Sequence, residues 1–217
     1  MKKFLLFAIS VLLVLSFSAC GGTHNASKIQ VQDSISKQSI SIPVAVRNVY
    51  RAGFYTVFSI SSDLSSLSQT LSDKVNSTDF SVNTYQNQFI LLQAKDCCFI
   101  VGETETSSLD QQNDHRYIIC SPTTAFTVSN SNKISMYMPY HLLKIATFDD
   151  VCFNNSIAGN TVQFETTSTI DDINKFYMNF DRYNLSEQGD AITVTDKDSG
   201  NSMLITLSQG QVTFTIE

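Results

Sequence analysis

FYTVFSISSDLSSLSQTLSDKV, residues 54–75, joins a strand to a helix. Residues 54–60 are aromatic and β-branched, the composition of a β-strand. From Leu64 the period changes. Leu64, Leu67, Leu71 and Val75 recur every three or four residues, the stripe of an amphipathic helix. Ser61 or Ser62 can cap its start, and Asp63 suits the positive end of the helix dipole. The theme returns in STIDDINKFYMNF, residues 168–180, where Ile170, Ile173, Phe176, Tyr177 and Phe180 fall on one helical stripe. Thr169 with Asp172 three residues later reads as a capping box, with Asp where Glu is commoner.

Working outward, residues 80–85, 89–94 and 98–103 follow the first helix as an antiparallel meander. A polar loop leads to short strands at 117–120, 125–128 and 134–138, the last ended by Pro139. HLLKIA, from His141, is a short helical turn. Residues 162–167 precede the second helix, and 192–195, 203–207 and 212–216 follow it. The fold class is therefore α+β, mainly antiparallel sheet with two principal helices, each laid over its own strands. The order strand, helix, strand, strand, strand occurs twice, with Leu64 and Leu67 matching Ile170 and Ile173. Residues 41–217 form the folded domain, and a true duplication would divide it into subdomains 41–150 and 151–217. The alternative is two unrelated pieces of one domain that share an order of elements.

The chain starts MKKFLLFAISVLLVLSFSAC. Lys2 and Lys3 form a positive region, residues 4–15 an apolar run broken by Ser10, and small residues precede Cys20. This is the layout of an export signal over residues 1–19, too short for a comfortable bilayer span of about 20 residues. Phe17-Ser18-Ala19-Cys20 resembles the lipobox of bacterial lipoproteins, and Gly21 and Gly22 fit the same family. Phe17 stands where that family usually has Leu. The resemblance covers this segment alone. It implies cleavage before Cys20 and a diacylglycerol on its thiol, with further acyl chains such as palmitate. Residues 20–40 are rich in Ser, Gln and Gly and read as the lipidated cysteine and a flexible tether.

The formal charge of the whole chain is −6, and loss of Lys2 and Lys3 takes it two further, to −8. Nucleic acid, bound by neutralising phosphates with Lys and Arg, is an unsuited partner. Beyond Cys20 the cysteines are Cys97, Cys98, Cys120 and Cys152. In an exported protein they are disulfide candidates with three pairings open. One of Cys97 and Cys98 with Cys120 is the easiest pairing to imagine. Buried free thiols are the equal alternative. No pair has the spacing of a closed zinc site.

Candidate chemistry is sparse. Asp196-Lys-Asp198-Ser-Gly200-Asn begins like a calcium loop but has Gly at its fifth place and Leu207 at its twelfth, so a hairpin turn explains it better. Asp114, His115 and Arg116 stand together in a loop without a nucleophile motif. His141, Asp149 and Asp150 are the other scattered acid–base candidates, while Asp171 and Asp172 belong to a helix start. Met136, Tyr137, Met138 and Tyr140 suit a core better than a groove. No catalytic, cofactor or metal motif is present. The chain reads as a membrane-tethered extracytoplasmic lipoprotein, facing outside the cytoplasm and held through lipid on Cys20. It acts as a non-catalytic binding or assembly module for an unknown protein or small-molecule ligand. The alternative is a cell-envelope hydrolase with dispersed catalytic residues.

Overall fold

The computed structural model describes residues 24–75, 80–86, 88–129, 132–153 and 156–217. The export signal and Cys20 lie outside the described residues. In chain order, β1 (His24–Ala26) leads into the hairpin of β2 (Ile29–Gln32) and β3 (Ser39–Ile42), then that of β4 (Val46–Ala52) and β5 (Tyr55–Ile60). Helix α1 (Leu64–Lys74) precedes the meander β6 (Ser81–Tyr85), β7 (Phe89–Gln93), β8 (Cys98–Thr104) and β9 (His115–Cys120). Next come β10 (Thr123–Ser129), β11 (Asn132–Tyr137), a 3-10 turn (Tyr140–Leu142), α2 (Phe148–Phe153) and β12 (Ser156–Ala158). The chain closes with β13 (Thr161–Glu165), α3 (Ile170–Met178), β14 (Tyr183–Gln188), β15 (Ala191–Asp196), β16 (Ser202–Ser208) and β17 (Gln211–Ile216).

The molecule is strand-rich, as expected, and its sheets are antiparallel except where β10 runs parallel to β12. A seven-stranded sheet has the order β1-β4-β5-β9-β8-β7-β6, and a five-stranded sheet the order β13-β17-β16-β15-β14. The strand order is the same from β5 to β9 as from β13 to β17. In each case a strand is followed by a helix and a four-strand meander, and the last strand returns to pair with the first. Helix α1 lies against β6 and β7, and α3 against β14 and β15.

Strands β7 and β8 carry long apolar runs because the large sheet is covered on both faces. Side chains alternate across a strand, so each run divides between two cores. Leu91, Cys98, Ile100 and Ile118 face α3, β11 and the five-stranded sheet. Ile90, Leu92, Phe99, Val101 and Ile119 face α1 and the β2–β3 hairpin. The expected stripes are buried: Leu64, Leu67 and Leu71 on α1, and Ile173, Phe176 and Tyr177 on α3. Asp63 itself caps α1, accepting from Ser66 N at 2.8 Å, and Thr169 with Asp172 closes the expected capping box on α3. The backbone N–H of Thr169, helped by its hydroxyl, holds the Asp172 carboxyl below its ordinary range.

Residues 21–40 differ from expectation. The described part of this stretch is a folded layer, not a flexible tether. Burial alternates along both hairpin strands, with Ile29, Val31, Ile40 and Ile42 inside and Gln30, Gln32, Ser39 and Ser41 outside. One apolar residue in two closes a core as well as a greasier strand does. At the end of β2, Asp33 is fully buried without an ion pair among the described residues. Its Oδ1 accepts from Ile35 N at 2.8 Å, Ser36 N at 2.7 Å, Ser36 Oγ at 3.2 Å and Tyr137 Oη at 2.7 Å. Its Oδ2 accepts from Ser121 Oγ at 2.9 Å and Cys98 N at 3.4 Å.

The short helix α2 is a third helix among the described residues, additional to the two expected. Cys152 on α2 bonds to Cys120 at the end of β9, and Phe148 lies flat over Gly102. A Cβ on Gly102 would meet the Phe148 ring at 2.5 Å.

Three substitutions probe this packing in denaturant unfolding. Leu67→Ala and Ile173→Ala should each cost about 2–5 kcal/mol. Gly102→Ala should cost about 1–3 kcal/mol by overpacking. Asp33→Ala strands several buried donors, each worth about 1–3 kcal/mol, so it should cost at least as much as Leu67→Ala. A loss below about 0.5 kcal/mol for Asp33→Ala, the range of surface changes, would show that the network does not stabilise the fold.

Candidate functional site

The described cleft that best matches a ligand site lies between residues 140–151 and strands β12 and β13. Pro139 precedes the 3-10 turn, which closes when Leu142 N donates to Pro139 O at 2.8 Å. Thr166 Oγ1 donates to Leu142 O at 2.6 Å, and Lys144 N to Glu165 O at 2.8 Å, tying residues 142–144 to the end of β13. Residues 144–146 then run opposite α2 and β12. The space between them, about 300 Å³, is lined by Tyr140, Ile145, Val151, Ile157, Val162 and Phe164. Lys144, Ala146 and Asp150 stand among the same walls. Lys144 Nζ meets Glu165 Oε2 at 2.9 Å, and Thr147 Oγ1 donates to Asp150 at 2.9 Å. Tyr140 hydrogen-bonds Thr124 Oγ1 and meets Phe164 edge to face at 6.0 Å. Burial pushes its phenol up to about 12, so it stays neutral.

An apolar floor with one amine and two carboxylates beside it suits an apolar body with a polar end. Two other clefts are more polar. One of about 350 Å³ has Glu103, Glu105 and Asp149 in its walls, with Thr104 Oγ1 donating to Asp149 at 2.6 Å. No group of three or more His, Cys, Asp or Glu side chains among the described residues could hold a metal ion. The other, about 470 Å³, is lined by Asn25, Ser27, Arg47, Ser59 and Ser61 among others. Its Arg47 is committed to Asp114.

The structure disperses the residues that the sequence sets side by side. His115 and Arg116 belong to β9, not to a loop. Buried Asp114 takes Arg47, His115 Nδ1 meets Glu103 at 2.9 Å near the surface, and Arg116 reaches Asp110 at 3.2 Å. Burial raises the Asp110 pKa, but hydrogen bonds from Ser59, Ser107 N, Asn48 and Arg116 outweigh it and hold the carboxyl well below the usual range. His141 is 4% exposed, with its ring 4.2 Å from Tyr85 and 5.4 Å from Phe176. Its Nδ1 has no hydrogen-bond partner among the described residues. Asp149 and Asp150 line different clefts. Asp196 accepts from Asp198 N at 2.9 Å and pairs with Arg182 at 2.5 Å, closing a hairpin turn. Met136, Tyr137, Met138 and Tyr140 are buried in the core.

The cysteines resolve into one bond and two thiols. Cys120 pairs with Cys152, their Cα atoms 5.9 Å apart, and not with Cys97 or Cys98. The physical reason is placement: α2 lays Cys152 across the end of β9. Cys97 and Cys98 are buried and free. Burial, then the nearby Asp33, pushes the Cys97 thiol up to about 12, and the same two causes raise Cys98 well above the ordinary thiol value. Both are held as thiols, the unreactive form. The cleft residues carried one sequence signal: Val162 and Phe164 alternate on a strand and so share a face. The opposite wall comes from 140–151 and 157, and no spacing joins them.

His141 gives a pH test. Burial lowers its pKa from 6.5 to about 3. The unfolded chain therefore takes up a proton that the folded chain refuses. The stability due to neutral His141 is complete above pH 6.5 and drains away as pH falls toward 3. Its slope can reach about 1.4 kcal/mol per pH unit. Unfolding curves of wild type and His141→Gln across that window should differ by this slope. Parallel curves would mean that His141 is not buried as described.

Compared with known proteins, the chain matches no family model, no curated protein and no solved structure, so the geometry above carries the functional reading.

Proposed function

We propose that the chain is a lipoprotein of the cell envelope, held to the membrane by lipid on Cys20 and facing outside the cytoplasm. It binds rather than turns over. The observation that carries this reading is the apolar cleft between Tyr140, Ile157 and Phe164. Clefts of this size with a few polar groups at the rim are the usual form of small-molecule sites. The partner is a small molecule, or a protein side chain, with an apolar body and a polar end. Support for export comes from the Cys120–Cys152 bond, since disulfides persist in oxidising compartments. Support for binding comes from His141, which is enclosed by Tyr85 and Phe176 where no substrate reaches it. No helix among the described residues is long and apolar enough to cross a membrane.

The folded part is α+β in this reading, and its two halves descend from one duplicated unit. The shared strand order of β5–β9 and β13–β17, each with a helix over the first two meander strands, supports duplication.

Two experiments test the function. Wild type expressed in a bacterial host should take up labelled fatty acid and stay with membranes washed in high salt, and Cys20→Ser should do neither. Equal membrane retention of both, with no label on wild type, removes the lipid anchor. For the cleft, the purified protein should enhance the fluorescence of anilinonaphthalene sulfonate, an apolar dye with an anionic end. Exposed Ala146 permits a filling substitution, and Ala146→Trp should weaken dye binding tenfold or more with an unchanged melting curve. Unchanged dye affinity in a folded Ala146→Trp protein rules the cleft out.

A further inference from the structure

We propose that the tip of the β4–β5 hairpin, with the β2–β3 turn beside it, docks on the surface of an anionic lipid bilayer. The proposal deepens the lipoprotein reading and takes its geometry from a lipid on Cys20. The described chain enters at His24, opposite Val49 in an antiparallel register. Followed backwards, it heads along β4 toward the hairpin tip at Gly53. Cys20 is four residues before His24, so at most about 14 Å of chain separates them. A bilayer holding that cysteine lies within reach of the tip.

The charge distribution matches. The chain is acidic overall, yet residues 24–62 contain four cations, Lys28, Lys37, Arg47 and Arg51, and one acid, Asp33. Asp33 is buried, and Arg47 is spent on Asp114. Lys28, Lys37 and Arg51 are exposed and make no ion pair among the described residues. Contacts bring them to the tip: an Arg51 nitrogen donates to Lys28 O at 3.4 Å, and Lys37 Nζ lies 4.6 Å over the Phe54 ring.

Aromatic side chains flank the cations: Phe54 lies under Lys37 at the turn, and Tyr50, next to Arg51 on the strand, faces the other side of the hairpin. Tyr50 is 38% exposed, Phe54 42% and Phe153 46%. Tyr55 joins the set, 6.2 Å from Tyr50 and edge-on to Phe153 at 4.6 Å. Amphipathic rings and long cationic stems are the side chains that settle at a headgroup layer. The backing is rigid, because Phe153 follows Cys152, which is bonded to β9. A cysteine that carries several acyl chains anchors the chain by itself, and contact of this face sets how the domain sits on the bilayer.

The test removes the lipid and keeps the face. The exported chain carrying Cys20→Ser is floated with vesicles of phosphatidylcholine alone or mixed equally with phosphatidylglycerol. At low salt it should partition about tenfold or more in favour of the mixed vesicles, and high salt should abolish the preference. Each cation removed should lower partitioning about fivefold. The triple variant Lys28→Glu, Lys37→Glu, Arg51→Glu should fall to the phosphatidylcholine level with an unchanged melting curve. Tyr50→Ser with Phe54→Ser should weaken what remains. Failure to float with the mixed vesicles overturns the proposal. So does flotation that survives the triple variant, or a photo-crosslinker at position 54 that captures a protein and no lipid in intact cells. Fatty-acid labelling of wild type reports on the anchor alone, so the two readings fail separately.

Discussion

A buried carboxylate with no cation beside it among the described residues, Asp33, ties together segments far apart in the chain. Desolvation makes an isolated buried charge prohibitive, and only a full set of donors makes it tolerable. Those donors come from the β2–β3 turn, the start of β8, the residue after β9 and the end of β11. The network therefore holds only when the amino-terminal hairpin, the large sheet and the middle of the chain are all in place. Tyr137 extends it. Its hydroxyl binds Asp33, and its ring stacks on Phe180, just beyond α3, at 4.7 Å. The two apolar cores lie on opposite faces of one sheet, and this polar joint links the layers that cover them.

A second joint governs what the molecule presents to its surroundings. Helix α2 is too short to be stable alone, since isolated helices below about 12 residues are marginal. The Cys120–Cys152 bond and the seat of Phe148 on Gly102 hold it. Its residues then serve two sites. Val151 and Asp150 line the apolar cleft, and Phe153 packs on Tyr55 at the hairpin tip. The cleft and the tip are thus neighbours with a shared support.

Local patterns were legible in the sequence wherever they were strong and contiguous. Leu64, Leu67 and Leu71 marked a helix face, and Thr169 with Asp172 marked its counterpart's cap. The apolar runs at Phe89 and Cys98 marked strands, and their continuity reflected a sheet covered on both sides. The hairpin of Ile29 and Ile40 was missed because Ser and Gln dominate its composition, although apolar residues fall at every second place. The disulfide was open because four cysteines allow three pairings, and only the path of α2 selects Cys152 for Cys120. His141 gave no sign of enclosure, since Tyr85 and Phe176 reach it from distant segments. The cleft was invisible for the same reason: its walls meet only in three dimensions.

The returning strand in each sheet has a further consequence. Because β9 pairs with β5, the beginning of that unit lies against its end, with Tyr55 opposite Cys120. Likewise Thr161, at the start of β13, lies opposite Thr215 on β17. A segment whose ends are neighbours can be set into a surface loop of another protein, or cut and rejoined elsewhere, without stretching its host. Both units have their ends so placed, while one continuous core joins them.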